Sequence, residues 1–224
     1  MIQFRITDDG TLHLGIFGTL VGSGAEAAHR ITKASKVICY VDSLGGSAYL
    51  SSEIMGALVI HPNTEAFIIG HSASAAFNIA RACQRVTIVP DGQILIHRSM
   101  NSITGNRHHL LAAIDELARI DHVSELVFAL RRVPALVIDR MADGADHYFG
   151  AEEAVAAGLV DEISADHPIW PAPPWAAELE LQPSSPDERI LLEILHALGP
   201  VTVSDIDDFN RRLGLWFHRC VQSK

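Results

Sequence analysis

In Phe67-Ile-Ile-Gly-His-Ser-Ala-Ser-Ala-Ala-Phe77 an apolar run gives way to small residues and then to a helix-forming stretch. Ala66–Gly70 predicts a strand, and Ala75–Cys83 predicts a short buried helix. A strand that runs straight into a helix is the joint of a layered α/β domain. A serine in that joint has its hydroxyl in a sharp turn. The next backbone N–H points out of a helix N-terminus, toward any developing anion. The small neighbours let a substrate backbone come close. Ser72 and Ser74 both stand there. Either could instead simply cap the helix, and on this segment alone capping is the simpler role.

On the N-terminal side, Leu12–Phe17 and Lys36–Val41 predict strands, with Ala25–Lys33 a helix between them. The second strand continues into Asp42-Ser-Leu-Gly-Gly46. Paired glycines at a strand end allow backbone conformations closed to other residues and can expose N–H groups to a ligand; they can equally be a plain turn. On the C-terminal side, Arg85–Val89 and Gln93–Ile96 flank the tight-turn signal Pro90-Asp91-Gly92, and His97 follows. Apolar residues then recur at Leu110, Ala113, Ile114, Leu117, Ile120, Val123, Val127 and Leu130, which predicts one long, one-faced helix. His108 and His109 are adjacent on it, point about 100° apart and offer no metal spacing.

Composition bounds what this domain can be. The chain has 224 residues, 48% apolar and 20% charged, enough for a sizeable core and against intrinsic disorder. A net charge of −10 argues against a phosphate-tracking face, so nucleic acid is not an expected partner. Apolar runs such as Val37–Val41 fall far short of the roughly 20 residues that span a bilayer, so no membrane partner is expected. The first ten residues lack the features of a signal peptide. Three well-separated cysteines, Cys39, Cys83 and Cys220, read as free thiols in a reducing cytoplasm.

Organisation changes at Asp166. Residues 1–165 read as the α/β domain. His167–Pro186 holds six of the ten prolines with Trp170 and Trp175, so 166–185 reads as a linker on the domain surface. Ser185-Pro-Asp-Glu188 is a capping box that opens a helix ending at Gly199-Pro200, and Ser204-Asp-Ile-Asp207 starts another. Residues 186–224 are therefore expected to form a short C-terminal helical extension, for packing or oligomer contact. Asp205, Asp207 and Asp208 crowd the start of the second helix and argue against a DNA-reading pair.

Taken together, four segments resemble the ClpP family of serine peptidases within the ClpP/crotonase superfamily. Its I-N-S-P-G-G motif stands here as Val41-Asp-Ser-Leu-Gly-Gly46, and its G-x-A-A-S-M-G motif as Gly70-His-Ser-Ala-Ser-Ala-Ala76. Its M-I-H-Q-P motif stands as Leu95-Ile-His-Arg-Ser99. Its S-A-x-E-A-x-x-x-G-L-(I/V)-D segment stands as Gly150-Ala-Glu-Glu-Ala-Val-Ala-Ala-Gly-Leu-Val-Asp161, preceded by Asp146. Their joint order over about 120 residues is specific, although no single motif is. The resemblance implies a ββα spiral domain and a triad of Ser74, His97 and Asp146, with Asp143 the competing acid. It also implies oxyanion donors at the backbone of Gly46 and Ala75, and substrate contacts at Gly45, Gly46 and Gly105.

The activity implied is endopeptidase cleavage of polypeptides through an acyl-serine, without metal or organic cofactor, in a homo-oligomeric ring. In the family, Ser102–Arg107 and the long helix form a handle that packs subunits together and borders the groove. Leu44 replaces the motif proline, and Ala75-Ala76 replaces Met-Gly. Only about ten residues precede the first predicted strand, which counts against docking of an AAA+ unfoldase. A G-x-S-x-G elbow with Ser72 as nucleophile is a weaker match, since its closing glycine is Ser74 and the triad order differs. Two rival readings are a non-catalytic scaffold on the same fold and a crotonase-like acyl-CoA enzyme.

Overall fold

The computed structural model describes residues 1–168 and Trp170; the helical extension 186–224 and nearly all of the linker lie outside the described residues. The chain runs β1 (Ile2–Ile6), β2 (Thr11–Leu20), α1 (Ala25–Ile31), β3 (Lys36–Gly46), α2 (Ala48–Ile60), β4 (Thr64–Ala73), α3 (Ala75–Ala82), β5 (Arg85–Ile88), β6 (Gln93–Ile96), α4 (Arg107–Leu130), α5 (Ala135–Arg140), β7 (His147–Gly150), α6 (Ala151–Ala156) and β8 (Glu162–Ile163). The sheet order is β1-β2-β3-β4-β5-β8, and β6 pairs with β4 and β7. The β1–β2 and β6–β7 pairs are antiparallel; the rest are parallel. This is the α/β architecture expected from the motifs.

Alternation along the central strands builds the core. Leu12, Leu14 and Ile16 of β2, Val37, Cys39 and Val41 of β3, and Ala66 and Ile68 of β4 are all buried in one cluster with the helices. Each fully buried branched side chain contributes about 1.5–3 kcal/mol over leaving it in water. The odd residues of β2 and the even ones of β3 face the other way. There His13 Nδ1 lies 3.0 Å from the Tyr40 hydroxyl, and the two rings stack.

Trp170 closes edge-on against Tyr40 and Phe17, at centroid distances of 5.3 and 5.5 Å. This residue of the stretch read as a surface linker packs onto the sheet. Aromatic rings remove large apolar area from water, and this face of the sheet offers it partners.

Three further differences from the sequence reading bear on the site. The ten residues read as a lead-in contain β1, an antiparallel edge strand on β2. Helix α2 is an element the motifs do not predict; Ser47 caps it by accepting the Leu50 N–H at 3.2 Å. Most consequential, β4 does not stop at Gly70. Glu65–Ile68 pair with β5, and His71–Ala73 pair with β6. The tight turn between β5 and β6, closed by Gly92 N–H to Val89 O at 2.9 Å, makes no hairpin. It lets both strands lie parallel to β4, one after the other.

Helix α4 departs in another way. Its apolar stripe leaves Leu110, Ile114, Val123 and Leu130 exposed, and only Ala113, Val127 and Phe128 are buried. Phe128 meets Phe77 of α3 edge to face.

Candidate active site

Strand register brings together the backbones that carry the three candidate side chains; His97 and Asp146 meet directly, whereas the Ser74 hydroxyl makes no hydrogen bond to His97. Ala73 of β4 pairs with Leu95 of β6, and the Ser74 N–H donates to Leu95 O at 2.9 Å. His97 follows two residues later, just past the end of β6. Across β6, Ile96 pairs with His147 of the antiparallel β7, which sets Asp146 beside His97. The His97 Nδ1 stands 3.3 Å from Asp146 Oδ1. The other ring nitrogen, Nε2, is buried and has no hydrogen-bond partner. Ser74 and His97 line one cleft of about 580 Å³.

Ser74 holds φ 54° and ψ −126°, a conformation that L-residues rarely adopt. Holding it costs on the order of 1–3 kcal/mol, a strain that functional turns often store. The hydroxyl makes no capping bond to α3. The simple capping role is thereby set aside. Ser72 is fully buried within β4, and its Oγ has no partner, so it is not placed to attack a substrate.

Gly45 and Gly46 end β3 with φ 91° and 141°. A Cβ on Gly45 would fall 2.6 Å from Ala73 O and 2.9 Å from Ser74 Cβ. Only a glycine lets β3 lie so close to the serine turn. Ser43 braces this corner, accepting the Gly45 N–H at 3.1 Å and donating to Gly18 O. The Ala75 N–H belongs to the first turn of α3, where amides have no intrahelical acceptor. Gly46 and Ala75 both line the cleft.

Gly105 is placed elsewhere. Neither it nor Gly45 is among the residues that line the cleft, and a Cβ on Gly105 would meet His109 Cβ and Nδ1 at 2.6 Å. His109 reaches back to the Asn106 N–H at 3.3 Å, so this glycine serves the capping box of α4. The border of the cleft on that side is Ser99, Met100 and Asn101.

The competing acid, Asp143, is also spoken for. Its carboxylate accepts the Ala145 N–H at 2.8 Å and lies 3.0 Å from His147 Nε2. The first of these bonds, then the second, holds the Asp143 carboxyl below the usual carboxylate range. Sequence reasoning gave no role to His71 of β4 or to Asp42 of β3. Asp42 Oδ1 accepts the His71 N–H at 2.9 Å and stands 3.7 Å from His71 Nδ1, at the cleft rim. The signal was visible as an Asp in the first motif and a His in the second.

Among the described residues no group of three or more His, Cys, Asp or Glu side chains is placed to hold a metal ion. No helix among them is long and apolar enough to cross a membrane.

The model of the Clp protease family matches residues 27–167, more than half of the chain. The chain belongs to the Clp protease family. Membership places it among peptidases at the level of the family. The match runs from α1 to the residues just after β8, and so contains every element that lines the cleft.

Proposed function

We propose that this Clp protease family member is a serine endopeptidase, with Ser74 as nucleophile, His97 as base and Asp146 as orienting acid. The observation that carries the reading is the state of His97. One ring nitrogen faces Asp146, and the other is buried, unpartnered and in the same cleft as a strained serine. A serine hydroxyl is a poor nucleophile at neutral pH and needs a base as it attacks. With the proton on Nδ1, facing Asp146, His97 Nε2 accepts the Ser74 proton and later returns it to the leaving amine. The Gly46 and Ala75 amides take the oxyanion, each such donor contributing on the order of 3 kcal/mol. Water then hydrolyses the acyl-serine by the same proton relay.

The substrate in this reading is an extended polypeptide laid between the chain after Gly46 and Ser99–Asn101, as an added strand. Leu44, Met100, Leu117 and Ile120 line the cleft, which favours apolar residues before the cut. The exposed stripe of α4 supports assembly into a homo-oligomeric ring. A fluorophosphonate probe with peptide mapping tests the chemistry. Labelling at Ser74, lost in His97→Ala, is the expected result. Silence in a folded protein would overturn it in favour of a non-catalytic scaffold, and acyl-CoA binding without labelling would point to a crotonase-like enzyme.

A further inference from the structure

Helix α4 reaches both sides of the Ser74–His97 pair from a single turn. Asp121, Ser124 and Glu125 are spaced i, i+3 and i+4, and so share one face. On the nucleophile side, Ser124 Oγ accepts from Asn78 Nδ2 at 3.1 Å. Asn78 lies one helical turn beyond Ser74, its N–H bonded to Ser74 O at 3.1 Å. On the base side, Asp121 Oδ1 accepts the Ser99 N–H at 2.8 Å. The Arg98 guanidinium bonds Glu125, with Asp121 Oδ2 at 3.9 Å. Arg98 and Ser99 are the two residues that follow His97.

The location gives these contacts their significance. Strand β6 ends at Ile96, and residues 97–106 lie in neither helix nor strand. His97 therefore hangs at the point where ladder hydrogen bonds give out. Asp146 orients its ring from the residue just before β7, but ring orientation alone does not fix the backbone that carries it. The main-chain bond to Asp121 and the Arg98 ion pairs hold that backbone. Charge-assisted bonds of this kind are stronger than neutral ones. The Arg98 and Glu125 side chains are 29% and 32% exposed and that of Asp121 18%, so solvent screens these charges in part.

We infer that Arg98, anchored by Asp121 and Glu125, is a positioning residue that holds His97 at its working distance from Ser74. Helix α4 is then the common fixture from which the spacing of nucleophile and base is set. This rests on the Ser-His-Asp reading of the cleft. A misplacement of about 1 Å at a reacting group can cost on the order of a hundredfold in rate.

The test compares Arg98→Met and Arg98→Lys with the parent protein. Three quantities are read: the rate of fluorophosphonate labelling at Ser74, kcat and KM for a fluorogenic peptide, and the ¹⁵N resonances of the His97 ring. Arg98→Met should slow labelling and lower kcat by about 10- to 100-fold, with KM within about twofold, and should shift or broaden the His97 resonances. Arg98→Lys, which keeps the charge, should recover most of the loss. Unchanged labelling and unchanged His97 resonances in Arg98→Met would overturn the inference, as would a loss confined to KM. Should Arg98→Met fail to fold, Glu125→Gln removes the ion pair from a half-exposed helix position and is read in the same way. If the parent protein neither labels nor cleaves, the peptidase reading fails. The His97 resonances still decide the positioning role: disturbance in Arg98→Met supports it, and identity overturns it.

Discussion

The backbone amide of Ser74 is bonded to the carbonyl of Leu95, and His97 lies two residues farther along the same chain. The nucleophile and base candidates are thus tied by main-chain pairing before any side chain is considered. The acid joins by a second pairing, Ile96 with His147. Side-chain chemistry is laid over a geometry that the strands already impose.

If the proposed triad holds, Asp146→Asn should lower kcat by about 10²- to 10⁴-fold without unfolding the protein, because the carboxylate 3.3 Å from His97 Nδ1 is then the group that fixes the tautomer. Asp143→Asn should change kcat by less than about threefold, since that carboxylate is committed to Ala145 and His147. Steady-state kinetics on both variants, with circular dichroism as the fold control, checks the assignment. The reverse ranking would move the acid to Asp143.

Ser74→Gly should be inactive yet more stable than Ser74→Ala. Alanine keeps the strain at φ 54°, whereas glycine releases on the order of 1–3 kcal/mol and gives back part of it as unfolded-chain entropy. A net gain of about 1 kcal/mol corresponds to roughly 2–4 °C in Tm for a domain of this size. Calorimetry of the two variants measures the difference.

Gly45→Ala should destabilise the fold by about 2 kcal/mol and slow Ser74 labelling, since the new methyl meets Ala73 O and Ser74 Cβ at a positive φ. Gly56 in α2 provides the contrast. A Cβ there meets nothing within 4 Å, so Gly56→Ala should stabilise by about 0.5–1 kcal/mol. Urea unfolding of the pair separates backbone strain from simple loss of glycine.

Stability should fall on acidification below the ordinary histidine value of about 6.5. Burial, ahead of the opposing charge of Asp9, lowers the pKa of His13 in the folded chain. The unfolded chain therefore takes up the proton first. Stability is level above about pH 7.5 and declines as pH drops through the unfolded value toward the folded one. Urea midpoints from pH 5 to 8 should show this limb, and His13→Gln should flatten it.

Ile114→Glu combined with Leu126→Glu should reduce the particle mass in sedimentation velocity, because both residues lie on the uncovered side of α4. An unchanged mass would place the subunit contact elsewhere.

The catalytic candidates were legible because four short motifs kept their order, and chemistry restricts which residue types can fill them. Register was not legible. Nothing in His71-Ser-Ala73 resembles a strand, since it contains none of the β-branched or large aromatic residues that strands favour. Pairing with β6 overrides that preference. Gly105 illustrates the opposite case: a glycine near a cleft motif is equally useful to a helix cap, and here His109 fills the space beside it. The stripe on α4 showed its period plainly, but periodicity alone does not say whether the covering surface belongs to the same chain.

The bend Val89–Gly92 lies outside the cleft, yet its length meters the distance along β4 at which β6 docks. One inserted residue there would offer Ile96 where the imidazole now stands and reverse the in-and-out alternation of the whole strand. Tolerance to insertion should therefore be lowest at a spot that carries no reactive group, and a scan of single-residue insertions should find Ser74 labelling lost from outside the cleft.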